Sequence, residues 1–211
     1  MTKPGPGPLF SGELGELQRR AMAESIPIIP PDAARFLETL LLITAPGKIL
    51  EIGCAVGFSA CLCAVTLPRA RITTIDRYEI MLDAARENFQ KMGVSDRVTL
   101  LEGEAVGVLE IMCASPAPPV YDFIFMDAGK AQYINMIPLC ARLCRAGGVI
   151  LADDCFQGGD IFKARGEVPR RRRTTHSRMR AFLAYINGNG LKSTLLPIGD
   201  GLALIYKEGT L

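Results

Sequence analysis

Four charged residues carry most of the chemistry legible in the chain. Asp127 follows directly on the apolar run Tyr121 to Met126, and Asp153-Asp154 follow Val149 to Ala152. Short apolar runs bounded by polar residues read as buried strands. All three acids therefore fall at strand carboxyl ends, where open α/β sheets bind their ligands. Acids converging on one edge repel one another unless a cation lies between them, and oxygen donors in this number suit Mg²⁺ or a similarly hard ion. The competing reading is that each Asp caps the helix or loop that follows it. Lys130 stands three residues after Asp127. It can lie over the same edge as a proton acceptor if a neighbouring cation lowers its pKa, or be an ordinary surface lysine.

A second constellation lies upstream, in Glu51-Ile52-Gly53-Cys54-Ala55-Val56-Gly57-Phe58-Ser59. Gly53 and Gly57 let backbone approach a ligand at the head of a helix, where free N–H groups point outward. A strand, turn and helix in this order is what a nucleotide-like cofactor needs, although the spacing differs from the GxGxxG of NAD enzymes. Asp76 ends the next strand about 20 residues on, where an acid can accept hydrogen bonds from ribose hydroxyls. Gly103-Glu104-Ala105 closes the third strand. The alternative is a tight turn of any α/β protein, with Asp76 as a helix cap.

The third feature is charge. The chain carries +2 overall, but Lys163, Arg165, Arg170 to Arg173, Arg178 and Arg180 face one acid, Glu167, so this segment holds +7 and the rest −5. Such a concentration attracts a polyanion even on a near-neutral protein. The plain alternative is a solvated helix start.

These residues need a frame to hold them. After a leader with three prolines and three glycines in Met1 to Gly12, Gly12 to Ala23 fits an amphipathic helix, and Pro31-Asp32 starts a second one. Strands then alternate with helices: Lys48 to Ile52, Arg71 to Ile75, Val98 to Glu102, Tyr121 to Met126 and Val149 to Ala152 as strands. Phe58 to Leu67, Glu79 to Met92, Gly107 to Cys113 and Gln132 to Leu143 lie between them as helices. Strands too apolar to face water predict a parallel sheet with helices on both faces, a doubly wound α/β fold. The basic segment runs into a helix with Met179, Phe182, Leu183 and Ile186 on its apolar side. Ser193 to Pro197 and Leu202 to Lys207 then flank Gly199-Asp200-Gly201 as a C-terminal antiparallel pair.

With 211 residues, 49% of them hydrophobic, one domain core is expected, placed at residues 26–211 behind a flexible leader and N-terminal helix at 1–25. Charged and glycine residues break the longest apolar stretches, Phe36 to Ala45 and Ile49 to Val65, well short of a roughly 20-residue membrane span. The leader lacks an apolar run after a basic start, so it does not read as a secretory signal, and the cytoplasm is the expected location. The seven cysteines are odd in number and sit in apolar patterns, as small core residues do in a reducing compartment.

Taken jointly, several segments resemble the metal-dependent O-methyltransferases of the caffeoyl-CoA and catechol type, over about Ile26 to Lys207. They are Ile49-Leu50-Glu51-Ile52-Gly53 with Gly57 and Ser59, Asp127-Ala128-Gly129-Lys130 with Tyr133, Gly147-Gly148-Val149-Ile150 leading to Asp153-Asp154, and Gly199-Asp200-Gly201. The resemblance implies a Rossmann-like fold that binds S-adenosylmethionine (SAM) through Ile29, Glu51, Gly53, Ser59, Asp76, Gly103, Glu104 and Asp127. It implies a cation held by Asp127, Asp153 and Asp154, with Asp154 standing where the family has Asn, and a homodimer. Within the family, Ile26-Pro27-Ile28-Ile29, the run Pro169-Arg170-Arg171-Arg172-Arg173 and Leu196 to Ala203 are similar to the bacterial methyltransferases of tRNA 5-hydroxyuridine. That likeness implies 5-methoxyuridine at the wobble position as product and the arginines as phosphate contacts. Small catechols or acyl-CoA phenols are the alternative acceptors, and a non-catalytic RNA-binding module is a reading from another class.

Overall fold

The computed structural model describes residues 9–209; residues 1–8, which hold most of the expected flexible leader, lie outside them. Chain order gives helix α1 (Gly12–Ala23), α2 (Pro31–Thr44), strand β1 (Lys48–Ile52), α3 (Phe58–Thr66), β2 (Arg71–Asp76), α4 (Glu79–Lys91) and β3 (Val98–Glu102). There follow α5 (Ala105–Ala114), β4 (Tyr121–Met126), α6 (Tyr133–Leu143), β5 (Cys144–Ala152), α7 (Arg173–Ile186), β6 (Leu191–Leu196) and β7 (Leu202–Lys207).

The strands form one sheet in the order β3-β2-β1-β4-β5-β7-β6. β1 to β5 run parallel, and β7 pairs antiparallel with both β5 and β6. The order reverses between β1 and β4, and a crevice opens at such a switch point beyond the carboxyl ends of the strands. The doubly wound α/β expectation, with its C-terminal antiparallel pair, is met.

Alternation along each strand sends side chains to two cores. Ile49, Ile72, Phe123 and Leu151 pack under α1 to α4, whereas Leu50, Ile52, Ile75, Ile124 and Ile150 pack under α5 to α7. α1 is part of the first core: Leu14, Leu17 and Ala21 are buried and Phe10 meets Phe58 edge-on at 6.0 Å. The N-terminal helix is thus docked rather than a loose extension. At the far edge, the buried Lys207 ammonium donates to the carbonyls of Ala141 and Cys144, closing the C-terminus of α6. All seven cysteines are buried and unpaired. Among the described residues, no helix is long and apolar enough to cross a membrane.

Candidate active site

A cleft of about 850 Å³ opens along the carboxyl ends of the strands. Its first half is built from the β1 loop. Gly53 has φ of +100°, and a Cβ there would lie 2.0 Å from the Asp127 carbonyl oxygen, so only glycine lets β1 end so close to β4. Gly57, at φ +81°, faces the Phe89 ring in the same way. The Asp76 carboxylate accepts from the backbone N–H groups of Cys54 (3.0 Å) and Ala55 (2.8 Å) with one oxygen, and from Arg77 (2.7 Å) and Tyr78 (3.2 Å) with the other. It therefore braces the loop against β2 and occupies the lip of the cleft.

Of the eight residues that the family resemblance puts around a cofactor, Ile29, Gly53, Ser59, Asp76, Gly103, Glu104 and Asp127 line this cleft. Glu51 does not. It is fully buried beneath the loop, where the Thr74 hydroxyl donates to Oε2 and Oε1 has no hydrogen-bond partner. Burial pushes its carboxyl up to about 7, even though Ser59 and Thr74 work against the rise. Glu104 is exposed and ion-paired with Arg77 at the mouth of the cleft.

The second half is a charge cluster. Backbone N–H of Asp127 bonds to the Ile52 carbonyl and that of Asp153 to the Met126 carbonyl, so both acids stand on the last rungs of the sheet. Asp153 is buried, with Oδ1 accepting from the N–H of Asp154 at 2.6 Å. Asp154 takes a left-handed conformation, φ +59°, uncommon outside glycine and asparagine. Burial and then repulsion from Asp127 raise the Asp153 carboxyl to about 6. Burial, and then a hydrogen bond with the Asp200 carboxyl, raise Asp154 to about 7.

Lys130 brings an ammonium into this cluster. Its Nζ lies 2.6 Å from Asp127 Oδ1, 3.6 Å from Asp154 Oδ2 and 3.3 Å from the Tyr133 hydroxyl. Burial works against the charge, but Tyr133, Asp127 and Asp154 outweigh it and hold the lysine above its ordinary range. A lowered pKa at Lys130 is expected only with a cation beside it. A proton-accepting Lys130 requires its two carboxylates to be turned onto another cation.

Among the described residues, no three His, Cys, Asp or Glu side chains are arranged around one point as metal ligands. The donor chemistry nevertheless fits a hard cation. Asp127, Asp153, Asp154 and Asp200 all line the cleft as oxygen donors, the kind of ligand a hard divalent ion takes. Asp127, Asp153 and Asp154 are the groups available to hold such an ion.

Asp200 is the site residue that sequence reading missed, since Gly199-Asp200-Gly201 signalled only a turn. Its carboxylate also holds the N–H of Gly158, at 2.9 and 2.7 Å, which fastens the loop after Asp154. Arg178 is a second omission: its guanidinium donates to the Ala131 carbonyl and clamps the turn that carries Lys130.

The arginine run divides in two. Arg172 pairs with the buried Asp160 at 2.8 Å, and Arg173 donates to the carbonyls of Val168 (2.8 Å) and Gly166 (2.9 Å). Both hold the segment to the fold. Arg170 and Arg171 are exposed and carry none of these contacts. Of the four arginines expected to bind an anion, Arg170 and Arg171 are thus the two without a partner among the described residues.

The O-methyltransferase family profile matches residues 11–208. The chain belongs to that family. It is 29% identical over 179 residues to a caffeoyl-CoA O-methyltransferase of Populus kitakamiensis, covering 83% of this chain and 76% of that protein. A tapetum-specific methyltransferase of Arabidopsis thaliana is also 29% identical, over 83% of this chain and 76% of its own length. Among solved structures, an O-methyltransferase of Bacillus cereus in complex with S-adenosylhomocysteine (SAH) superposes with a TM-score of 0.81 at 25% identity, covering 93% of this chain and 90% of that one. An SAH-bound methyltransferase of Podospora anserina does so with 0.81 at 26% identity, over 94% and 89%. The protein is a SAM-dependent O-methyltransferase, so the cleft is read in those terms.

Proposed function

We propose that this O-methyltransferase acts on 5-hydroxyuridine in tRNA, at the wobble position, with the help of a divalent cation such as Mg²⁺, and that it works as a homodimer. The observation that carries the RNA part is the exposed basic group of Arg165, Arg170 and Arg171, none of them paired with an acid among the described residues, on the segment following the acid-bearing loop after β5. Arginines there bind phosphates and supply affinity without reading sequence.

In this reading Gly53, Ser59, Asp76, Gly103 and Glu104 hold SAM, which supplies an electrophilic methyl group on its sulfonium. Asp127 adjoins both halves of the cleft. With Asp153 and Asp154 it holds the divalent ion, which when bound stabilises the deprotonated acceptor oxygen. The protein's own contribution is orientation. The rigid β1 loop fixes the donor side, the acids fix the acceptor side, and alignment of two reactants in this manner accounts for much of the barrier reduction. The 5-hydroxyl and the 4-carbonyl of the base are adjacent oxygens, as are the two hydroxyls of a catechol, so one arrangement of acids serves either.

A second reading is favoured by the Populus relative, whose name gives caffeoyl-CoA as acceptor. Coenzyme A is itself anionic and suits the same arginines. Methyl transfer from labelled SAM to tRNA containing 5-hydroxyuridine, side by side with caffeoyl-CoA, decides between them. Transfer to RNA that declines steeply with salt is the expected result. Turnover of caffeoyl-CoA alone would replace the first reading by the second.

A further inference from the structure

Phe162 is 70% exposed, and no aromatic side chain among the described residues is more so. A single exposed apolar residue ordinarily needs no explanation. This one differs in how it is held and in where it stands.

The turn that carries it, Asp160 to Phe162, is fastened on both sides. The Asp160 carboxylate is buried and receives Lys163 on one oxygen and Arg172 on the other, each at 2.8 Å. The backbone N–H of Lys163 returns to the Asp160 carbonyl at 3.0 Å, and buried His176 meets the Lys163 carbonyl at 3.2 Å. The backbone on both sides of Phe162 is thereby held in place.

Its ring is also supported. Phe156 lies edge-on to it, with centroids 4.9 Å apart and planes at 62°. Phe156 in turn covers Gly201, where a Cβ would fall 2.3 Å from the ring, and its N–H bonds to the Asp200 carbonyl at 2.7 Å. Asp200 lines the cleft. Two rings therefore lead outward from the acid-bearing rim, and the pair of Arg172 and Asp160 ties the segment of Arg170 and Arg171 to the turn that carries the outer one.

A rigid, solvent-facing ring amid cations at the rim of an active site is the arrangement on which unpaired bases stack. We propose that Phe162 is a stacking platform for a base flanking the methylated nucleotide in single-stranded RNA, with Arg170 and Arg171 on the adjoining phosphates. This rests on the RNA reading above. It assigns to the loop after β5 a contact with the neighbouring nucleotide, distinct from the contacts to the reacting base.

The full chain should be titrated with an RNA hairpin whose loop carries one 5-hydroxyuridine, at several salt concentrations, as wild type, Phe162→Ala and Phe162→Trp. Phe162→Ala should weaken binding by about ten- to hundredfold, with the salt slope unchanged and the loss falling on KM rather than kcat. Phe162→Trp should restore affinity. Arg170→Ala and Arg171→Ala should instead flatten the slope, by about 0.7 for each phosphate that is no longer neutralised. SAH affinity and oligomeric state serve as controls for the fold. The platform is overturned if Phe162→Ala binds the hairpin as the wild type does, if it loses SAH binding, or if it changes self-association, since the last would make Phe162 an interface residue. A wild-type protein that neither binds nor methylates the hairpin overturns the RNA reading itself, and the platform with it.

Discussion

At the tips of β1, β2 and β3 the cleft is shaped by backbone. Gly53 presses on the Asp127 carbonyl, Gly57 on a phenyl ring, and Asp76 gathers four N–H groups. At the tips of β4, β5 and the turn before β7 it is shaped by side-chain charge: four carboxylates, one of them on the left-handed Asp154, and one ammonium. The donor half is held by backbone contacts, with Glu51 buried beneath it. In the acceptor half, burial and contacts among the acids push Asp153 up to about 6 and Asp154 up to about 7. Changes in the donor half should therefore register in stability, and changes in the acceptor half in chemistry and ion dependence.

The largest effect is expected from Asp127→Ala. Loss of an acid that adjoins both halves should reduce methyl transfer by about a thousandfold or more, the several kcal/mol that cation stabilisation of an oxyanion supplies. Stability to denaturant should change far less than activity, because loss of the Lys130 pair is offset by relief of the repulsion on Asp153. A chelator should reproduce the loss in the wild type, and added Mg²⁺ should reverse it. Full activity in Asp127→Ala, or in chelator, would move the chemistry out of the acceptor half.

Gly53→Ala reverses the pattern. A Cβ 2.0 Å from a carbonyl oxygen, at a φ that alanine avoids, should cost about 3 kcal/mol or more, read as a lower denaturation midpoint. Gly129→Ala, in the acceptor half, meets nothing within 4 Å and should cost less than about 0.5 kcal/mol. Equal losses in the two variants would erase the distinction between the halves.

The donor half was largely legible in the sequence because glycine spacing and strand-end acids are local signals. Gly53, Asp76 and Gly103 fall on neighbouring strands by topology alone. Asp127, Asp153 and Asp154 were legible for the same reason, each following an apolar run. Asp200 was not, because it reaches the cleft only through the antiparallel return of β7 beside β5, and a Gly-Asp-Gly turn looks alike whatever it faces. The arginine run was visible as charge, but not its division. Whether an arginine points inward depends on a buried partner such as Asp160, which no spacing reveals. Element limits slipped where glycine misled: α5 begins at Ala105, two residues before Gly107, and β5 begins at Cys144. There Tyr121 pairs with Cys144 but Phe123 with Val149, so a bulge through Gly147-Gly148 joins the two parts of the strand.

Glu51 tests the donor half by pH. Its carboxyl is raised by burial from an ordinary 4.5 to about 7 in the fold. Below 4.5 both folded and unfolded chains hold the proton, and the group does not alter stability with pH. Between there and about pH 7 the unfolded chain releases it while the folded one retains it, so stability falls as pH rises. The fall is about 1.4 kcal/mol per pH unit and up to about 3 kcal/mol in all, levelling off once the folded carboxyl ionises. Glu51→Gln should abolish this slope, and its advantage over wild type should grow from pH 5 to pH 8 in denaturant titrations. Parallel curves for the two proteins would show that Glu51 ionises in the fold as it does in water.

The smallest effect, and the most particular to this chain, is expected from Asp154→Asn. Asn tolerates the left-handed region better than Asp, and the amide removes a carboxylate that crowds Asp153 and Asp200. Stability should therefore rise by about 0.5 to 1 kcal/mol. The same change withdraws one negative charge from the oxygen donors, and ligand charge sets the affinity of hard-cation sites. The Mg²⁺ concentration giving half-maximal methyl transfer should increase by about tenfold, with the rate at saturating ion little changed. A variant that gains stability without losing Mg²⁺ affinity would mean that Asp154 serves Lys130 and Asp200 rather than the ion. A variant that loses stability would mean that the Lys130 contact at 3.6 Å outweighs the repulsion among the acids.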